Sequence, residues 1–524
     1  MRLPVGLSDM YSFLRFAYGL KSFLRELISL ETARAHVRQG MQVRDVAFLQ
    51  NVERTIFANP TSPYLKLFQA ARCELGDLKS LVSQEGVEGA LQQLLQAGVY
   101  VTFEEFKGKT AAVRGSQTFS FRDTDFDNPR LSTHLRIASG GTRGRPTQSR
   151  IDLDYIAQTA PHWALWFAAH DWLANPLVFW EPKHTGMAAR QLRCIKFGKK
   201  FVKWFATARM GTVKERLISA SVHTLVRRSV GLPKPEFVPL NEAWKVGEYL
   251  VGMVQDGNNP CVNTSPTAAV RISLDMQERG KSLQNVTFLL GSEPLTPTRK
   301  DTIEASGAKA VPTYGSSESA AIGSQCPNPT AADDIHVSLD IYEVIQRAQP
   351  LYDGQTADAL LLTSLLPACP KVLLNAEIGD YAVVERRHCG CLFDELGYVK
   401  HLHTIRSSQK LTGEGVTIVG ADLYHLIEEV LPKRFGGTLA DYQLVEEQDA
   451  RGLPQYALIV SPEVGMLNEN ALAETFLEEL GKMKSSYRLM VDLWVQADSL
   501  RVKRRRPLAT GRGKILPFRT LGSQ

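Results

Sequence analysis

Apolar and polar positions follow two rhythms along the chain. Residues 1–30 carry apolar side chains at helical spacing with Arg15, Lys21 and Arg25 between them, and residues 87–97 repeat that spacing before an extended apolar run at 99–103. The first 125 residues therefore predict helices with polar breaks, an accessory layer without visible chemistry. The rhythm then changes: 135–138 predicts a short strand, 139–146 a glycine-rich loop, and 154–173 a long helix. Strand-like runs at 285–290 and 308–312 flank a helical run at 297–306, the alternation of strand–helix–strand units and a largely parallel sheet. Composition turns polar near 397–408. Beyond it come an amphipathic helix at 423–431, a strand at 455–460, a helix at 470–484 and a strand at 490–496. The pattern predicts an α/β protein: a large N-terminal α/β domain with layered sheets plus a small C-terminal α+β domain. The parts are 1–125, 126–405 and 406–524.

Composition narrows the class. At 524 residues the chain is long enough for two to four domains, and 44% hydrophobic with 22% charged residues excludes a disordered, collagen-like or coiled-coil protein. Lys and Arg number 61 against 55 Asp and Glu, a net charge of +6, which gives no case for nucleic acid as an obligate partner. The one dense basic run, 501–506, reads as a solvated face. Seven scattered cysteines, an odd number, argue against a secreted disulfide scaffold and for a reducing cytoplasm. The most apolar stretch, 163–180, is broken by His170, Asp171, Asn175 and Pro176, so no spanning helix is expected. The opening residues do not read as a signal peptide. The first helical stretch suits packing better than a membrane surface.

Chemistry concentrates in a few segments. The loop Ser139-Gly140-Gly141-Thr142-Arg143-Gly144-Arg145-Pro146-Thr147 offers close backbone approach, hydroxyl donors and two guanidinium groups, which suits a polyphosphate. It lacks the Gly-Lys-Ser/Thr ending of a P-loop. Gly291-Ser292-Glu293-Pro294 follows a strand-like run. In Tyr314-Gly315-Ser316-Ser317-Glu318 an aromatic ring, a glycine and a carboxylate stand at a strand end, fit to stack on a base and to hold magnesium. Gly379-Asp380 sets a carboxylate where it can accept from a ribose diol. Arg406 precedes Ser407-Ser408, and Gly413-Glu414-Gly415 lies at the domain boundary. Near the end, Gly511-Arg512-Gly513-Lys514 presents a lysine on a glycine loop.

In order and spacing these segments resemble the core motifs of the adenylate-forming (ANL) superfamily, nearest to its phenylacetate–CoA ligase-like branch, over about residues 135–518. The pair Glu428-Glu429 looks like the helix after the crossover loop in that family. The resemblance implies an ATP-dependent ligase that forms an acyl-adenylate and passes the acyl group to a thiol, that of coenzyme A in the leading reading. Residues 126–405 would be its nucleotide- and acid-binding core and 406–524 its mobile domain. It implies that Ser139, Gly141, Thr142, Gly144 and Arg145 bind phosphates, that Gly291, Tyr314 and Gly315 line the adenine site, and that Ser317 approaches the α-phosphate. It implies that Glu318 ligates magnesium, that Asp380 and Arg406 hold the ribose, and that Lys514 bridges the substrate carboxylate and the α-phosphate. The acid pocket would come from the helix after the loop, Trp163 and Trp166 included, and from 264–270 and 291–293. The chain departs from the family pattern at Gly140, Arg143, Arg145, Ile405 and Ser408. An amine or protein thiol as acceptor, and a non-catalytic nucleotide-binding scaffold, are the alternatives.

Cys389-Gly390-Cys391 is a tight pair of soft ligands, and the resemblance brings Cys326 and His336 near it. Together they would form a closed Cys₃His structural zinc site, with His388 competing for the fourth place. Three reduced, buried thiols are the alternative.

Overall fold

The structure is a computed structural model. It describes residues 7–132, 135–138, 148–182, 185–199, 201–207, 213–316, 318–350, 356–407, 410–413, 416–419, 423, 425–483, 485–509, 515 and 517–519. No helix among the described residues is long and apolar enough to cross a membrane.

The α/β class and the small C-terminal α+β unit are as the sequence predicts. The large part is organised on one twelve-stranded sheet. Half of it is parallel: Glu236–Phe237, Phe201–Ala206, Leu177–Trp180, Cys261–Thr264, Thr287–Leu290 and Lys309–Ser316 lie side by side in that order. Three of these strands are buried along their whole length, because helices cover both faces. The other half is antiparallel and continues through Ala320–Ser324, Ile335–Val337, Lys400–Ser407, Ala376–Arg386, Thr356–Ser364 and Tyr342–Pro350. The change of direction falls beside Lys309–Ser316, the strand that carries Tyr314.

Leu135–Ala138 pairs antiparallel with a second strand, Gln148–Ile151, that precedes the expected helix; the glycine-rich stretch 139–147 lies outside the described residues. Asp152 then caps the helix Leu153–Ala169, its Oδ1 accepting from the Tyr155 amide at 2.8 Å. The N-terminal helices are tied to the sheet through Asn375, whose Nδ2 donates to the carbonyls of Leu91 at 2.8 Å and Val99 at 3.2 Å.

The C-terminal unit has a four-stranded sheet ordered Leu500–Arg504, Pro454–Val460, Tyr442–Gln448, Phe518–Arg519, with helices Glu469–Met483 and Ser485–Ala497. The expected strand at 490–496 is absent. That stretch is helical because Tyr487, Met490 and Trp494, spaced three and four apart, are all buried, and Trp494 stacks on Tyr456 at 4.0 Å between ring centres. The helix expected at 423–431 is present as a π-helix, His425–Val430, continued by the α-helix Leu431–Phe435. The unit docks on the large part: Arg299 Nε donates to the Gly452 carbonyl at 3.0 Å, and the Leu240 amide to Gln496 Oε1 at 3.1 Å.

Candidate functional site

Where the parallel and antiparallel halves of the sheet meet, the strand ends open onto a cavity of about 460 Å³. Gly291, Tyr314, Gly315, Glu318, Asp380 and Arg406 all line it. Ser139, Gly141, Thr142, Gly144, Arg145, Ser317 and Lys514 fall outside the described residues.

Each lining residue is held by its own segment. The Tyr314 hydroxyl donates to Asp380 Oδ2 at 2.9 Å. Burial, and then the neighbouring Asp380 carboxylate, push the Tyr314 phenol well above its ordinary value, so it keeps its proton and its role as donor. Gly379, at φ +82°, turns the backbone just before Asp380, and Ser407 Oγ donates to its carbonyl at 3.0 Å. In the antiparallel register Asp380 opposes Ser407 and Tyr381 opposes Arg406, which brings the two predicted ribose residues onto adjacent strands. Gly315 is needed for close packing as well. A Cβ there would sit 2.0 Å from the Ala320 carbonyl oxygen, so this glycine admits the neighbouring strand as it lines the cavity.

Glu318 is 8% exposed, and its Oε1 lies 2.7 Å from Lys107 Nζ. Lys107 in turn lies 5.3 Å from the ring centres of both Phe103 and Phe106. The N-terminal part, read from sequence as without chemistry, therefore supplies a cation and an aromatic wall to the cavity.

Arg406 is anchored by a residue the sequence did not single out. Asp333 accepts from Arg406 Nη1 at 2.9 Å and from the amides of Thr404 at 2.8 Å and Ile405 at 2.9 Å. It holds Thr404 at φ +54°, a left-handed conformation uncommon for a β-branched residue. Nothing in the Asp333-Asp334 pair sets it apart in sequence from a solvated turn. Asp333→Ala should leave two part-buried backbone amides and a guanidinium without this acceptor. We expect a loss of about 2–4 kcal/mol in urea unfolding and a rise of roughly tenfold in the concentration of ATP needed for half-saturation in calorimetry. An unchanged ATP affinity in a destabilised variant would confine Asp333 to a structural role.

The opposite wall is built by Thr159, His162, Trp163 and Trp166 of Leu153–Ala169, with Ala189, Arg190 and Arg193 of Thr185–Ile195. Trp166 Nε1 donates to the Gln325 carbonyl at 2.8 Å. Arg190 Nη1 pairs with Glu181 and donates to Asn263 Oδ1 at 2.8 Å. Ser265 and Ala268 also reach the cavity from the predicted 264–270 region. Glu293, which also lines the cavity, binds Thr267 and lies 3.3 Å from Arg299 Nη1, tying two helix starts together.

A second constellation lies beside this site. The ligand atoms of Cys326, His336, Cys389 and Cys391 all fall within 4.8 Å of one another. Cys326 Sγ is 3.8 Å from Cys389 Sγ, and His336 Nε2 is 3.4 Å from Cys389 Sγ and 3.3 Å from Cys391 Sγ. With metal–sulfur bonds of about 2.3 Å and metal–nitrogen bonds of about 2.0 Å, the edges of a tetrahedron are roughly 3.5–3.8 Å, so the spacing fits four-coordinate zinc. His336 Nδ1 lies 2.6 Å from the Tyr398 carbonyl, which can only accept; the proton is therefore on Nδ1 and Nε2 offers its lone pair to the thiols. A hydrogen bond from Cys326, and then His336, hold the Cys391 thiol well below its ordinary value. His388 is 82% exposed and pairs with Asp394 at 2.7 Å, away from the cluster. All seven cysteines are free.

No family model matches the chain, and no curated protein matches it. Among solved structures it is similar to a 2-hydroxyisobutyryl-CoA ligase in complex with 2-HIB-AMP and CoA, at 15% identity over 91% of this chain and 90% of that one, with a TM-score of 0.48. It is also similar to the amide bond synthetase McbA from Marinactinospora thermotolerans, at 13% identity over 82% of this chain and 77% of that one, TM-score 0.42. A third likeness is to the anthranilate CoA ligase AuaEII in complex with anthranoyl-AMP, at 13% identity over 83% of this chain and 75% of that one, TM-score 0.33. Activity is decided by the side chains of the cavity, not by these likenesses.

Proposed function

We propose that the chain is an ATP-dependent carboxylic acid ligase of the adenylate-forming type. One observation carries this reading: Gly291, Tyr314, Glu318, Asp380 and Arg406, scattered over more than a hundred positions, line one cavity. The substrate carboxylate attacks the α-phosphorus of ATP, the bond to the β-phosphate oxygen breaks, and pyrophosphate leaves with its electron pair. A thiol then attacks the acyl carbon, giving a thioester, AMP and a proton; coenzyme A is the thiol of this reading.

The chain's own groups divide the work. Tyr314, Asp380 and Arg406 would hold the nucleoside, with Tyr314 donating to Asp380 and Asp333 steadying Arg406. Glu318 would hold magnesium, which neutralises phosphate charge when bound. Ser139, Gly141, Thr142, Gly144 and Arg145 would bind the β- and γ-phosphates and Ser317 would approach the α-phosphate. Lys514 would bridge the two reacting anions, and its withdrawal with the C-terminal domain would admit the thiol. Cys326, His336, Cys389 and Cys391 would hold a structural zinc ion, in keeping with the phenylacetate–CoA ligase-like branch.

ATP–pyrophosphate exchange over a panel of carboxylic acids tests the reading. Exchange with at least one acid, falling about 10²-fold or more in Lys514→Ala, is the expected result. Exchange with none favours a scaffold. Product mass spectrometry with and without coenzyme A separates thioester from amide formation.

A further inference from the structure

Six cationic side chains among the described residues are nine-tenths or more buried. Lys371, Lys400 and Arg299 each pair with a carboxylate. The Lys199 ammonium is caged by the carbonyls of Trp172, Leu173 and Asn175, and Lys196 Nζ donates to the Phe23 carbonyl at 2.7 Å. Arg193 differs from all five. It is 5% exposed and lines the cavity, yet its one polar partner among the described residues is Thr159 Oγ1, reached by Nε at 2.9 Å. Thr159 spends its own proton on the Tyr155 carbonyl at 2.8 Å. The guanidinium carbon stands 5.4 Å from the ring centre of Trp163 and 5.9 Å from that of Tyr155.

The groups around it carry no countercharge. Tyr155, Cys194 and Tyr342 are each pushed up by burial and stay neutral, and Arg190 repels. A guanidinium does not shed its proton, so it stays charged in a place where charge is costly without a partner. The helix Thr185–Ile195 that carries it is none of the strands that carry Tyr314, Asp380 and Arg406.

We propose that Arg193 is a specificity-determining group of the acid end of the cavity, and that the acid taken bears a second anionic oxygen, a far carboxylate above all, on a flat body that lies along Trp163. The guanidinium receives the second carboxylate in a two-pronged hydrogen bond while the first reacts. The inference rests on the ligase reading for which carboxylate reacts, but the anion site itself does not.

The test uses the full chain, with terephthalate against benzoate and adipate against hexanoate, read by pyrophosphate exchange and, without ATP, by calorimetry. The wild-type protein should favour each diacid by about 30-fold or more in kcat/KM. Arg193→Met should bring that ratio to within about threefold of one with the KM for ATP unchanged, and Arg193→Lys should keep part of the preference. Circular dichroism confirms that the variants fold. A preference that survives in Arg193→Met, a wild type without preference, or a loss that falls on the KM for ATP overturns the proposal; the last would assign Arg193 to the nucleotide. Diacid binding in calorimetry that Arg193→Met abolishes, with no exchange for any acid, would sustain the anion site and sink the ligase reading instead.

Discussion

Glu318→Gln is expected to cut acid-dependent pyrophosphate exchange by about 10²–10³-fold and to raise the magnesium concentration required. The amide keeps the shape of the side chain and removes its charge. In the structure that charge is balanced by Lys107 at 2.7 Å, both side chains being 11% exposed. The substitution therefore also removes the ionic partner of Lys107 beside Phe103 and Phe106, at a cost of about 1–3 kcal/mol. The two effects separate by measurement: urea unfolding reads the lost ion pair, and a magnesium titration of exchange reads the lost ligand. If Glu318→Gln loses stability but keeps exchange within about threefold, the carboxylate is only the counter-ion of Lys107 and its magnesium role falls.

The contrast between Glu318 and Lys107 shows what the sequence carries and what it omits. Tyr314, Glu318, Asp380 and Arg406 are legible because each stands in a short run whose residue types suit one ligand group, and because the runs keep a fixed order. Lys107 and Asp333 carry no such mark. Their roles arise from tertiary approach: Lys107 across 211 positions to Glu318, Asp333 across 73 to Arg406. Arg193 is hidden for a related reason, since an arginine on a helix reads as solvated until its burial is known. Gly315 was legible as a close approach, and the Ala320 carbonyl makes one. The stretch 490–496 misleads because a short apolar run fits both periods, and only the burial of Tyr487, Met490 and Trp494 on one face decides for a helix.

The Cys₃His cluster carries the other large effect. Protein purified without chelators should hold one zinc ion per chain by elemental analysis, and Cys391→Ser should remove it and lower the Tm by about 10 °C, several kcal/mol at roughly 2–4 °C each. The consequence should extend to the cavity. The Tyr398 carbonyl accepts from His336, while its hydroxyl donates to Asp340, whose Oδ2 lies 2.9 Å from Nε2 of His162 on the cavity wall. His336 and His162 thus hang on two ends of one tyrosine. Loosening the cluster should raise the KM for the acid by about three- to tenfold, below the range for a lost ligand-orienting contact at the metal itself, and leave the KM for ATP nearly unchanged. His388→Ala, which alters an exposed histidine outside the cluster, should change neither the zinc content nor the Tm. Zinc-free protein with the same Tm as Cys391→Ser would make the four residues a buried thiol cluster with a histidine acceptor, and the link through Tyr398 would then be packing alone.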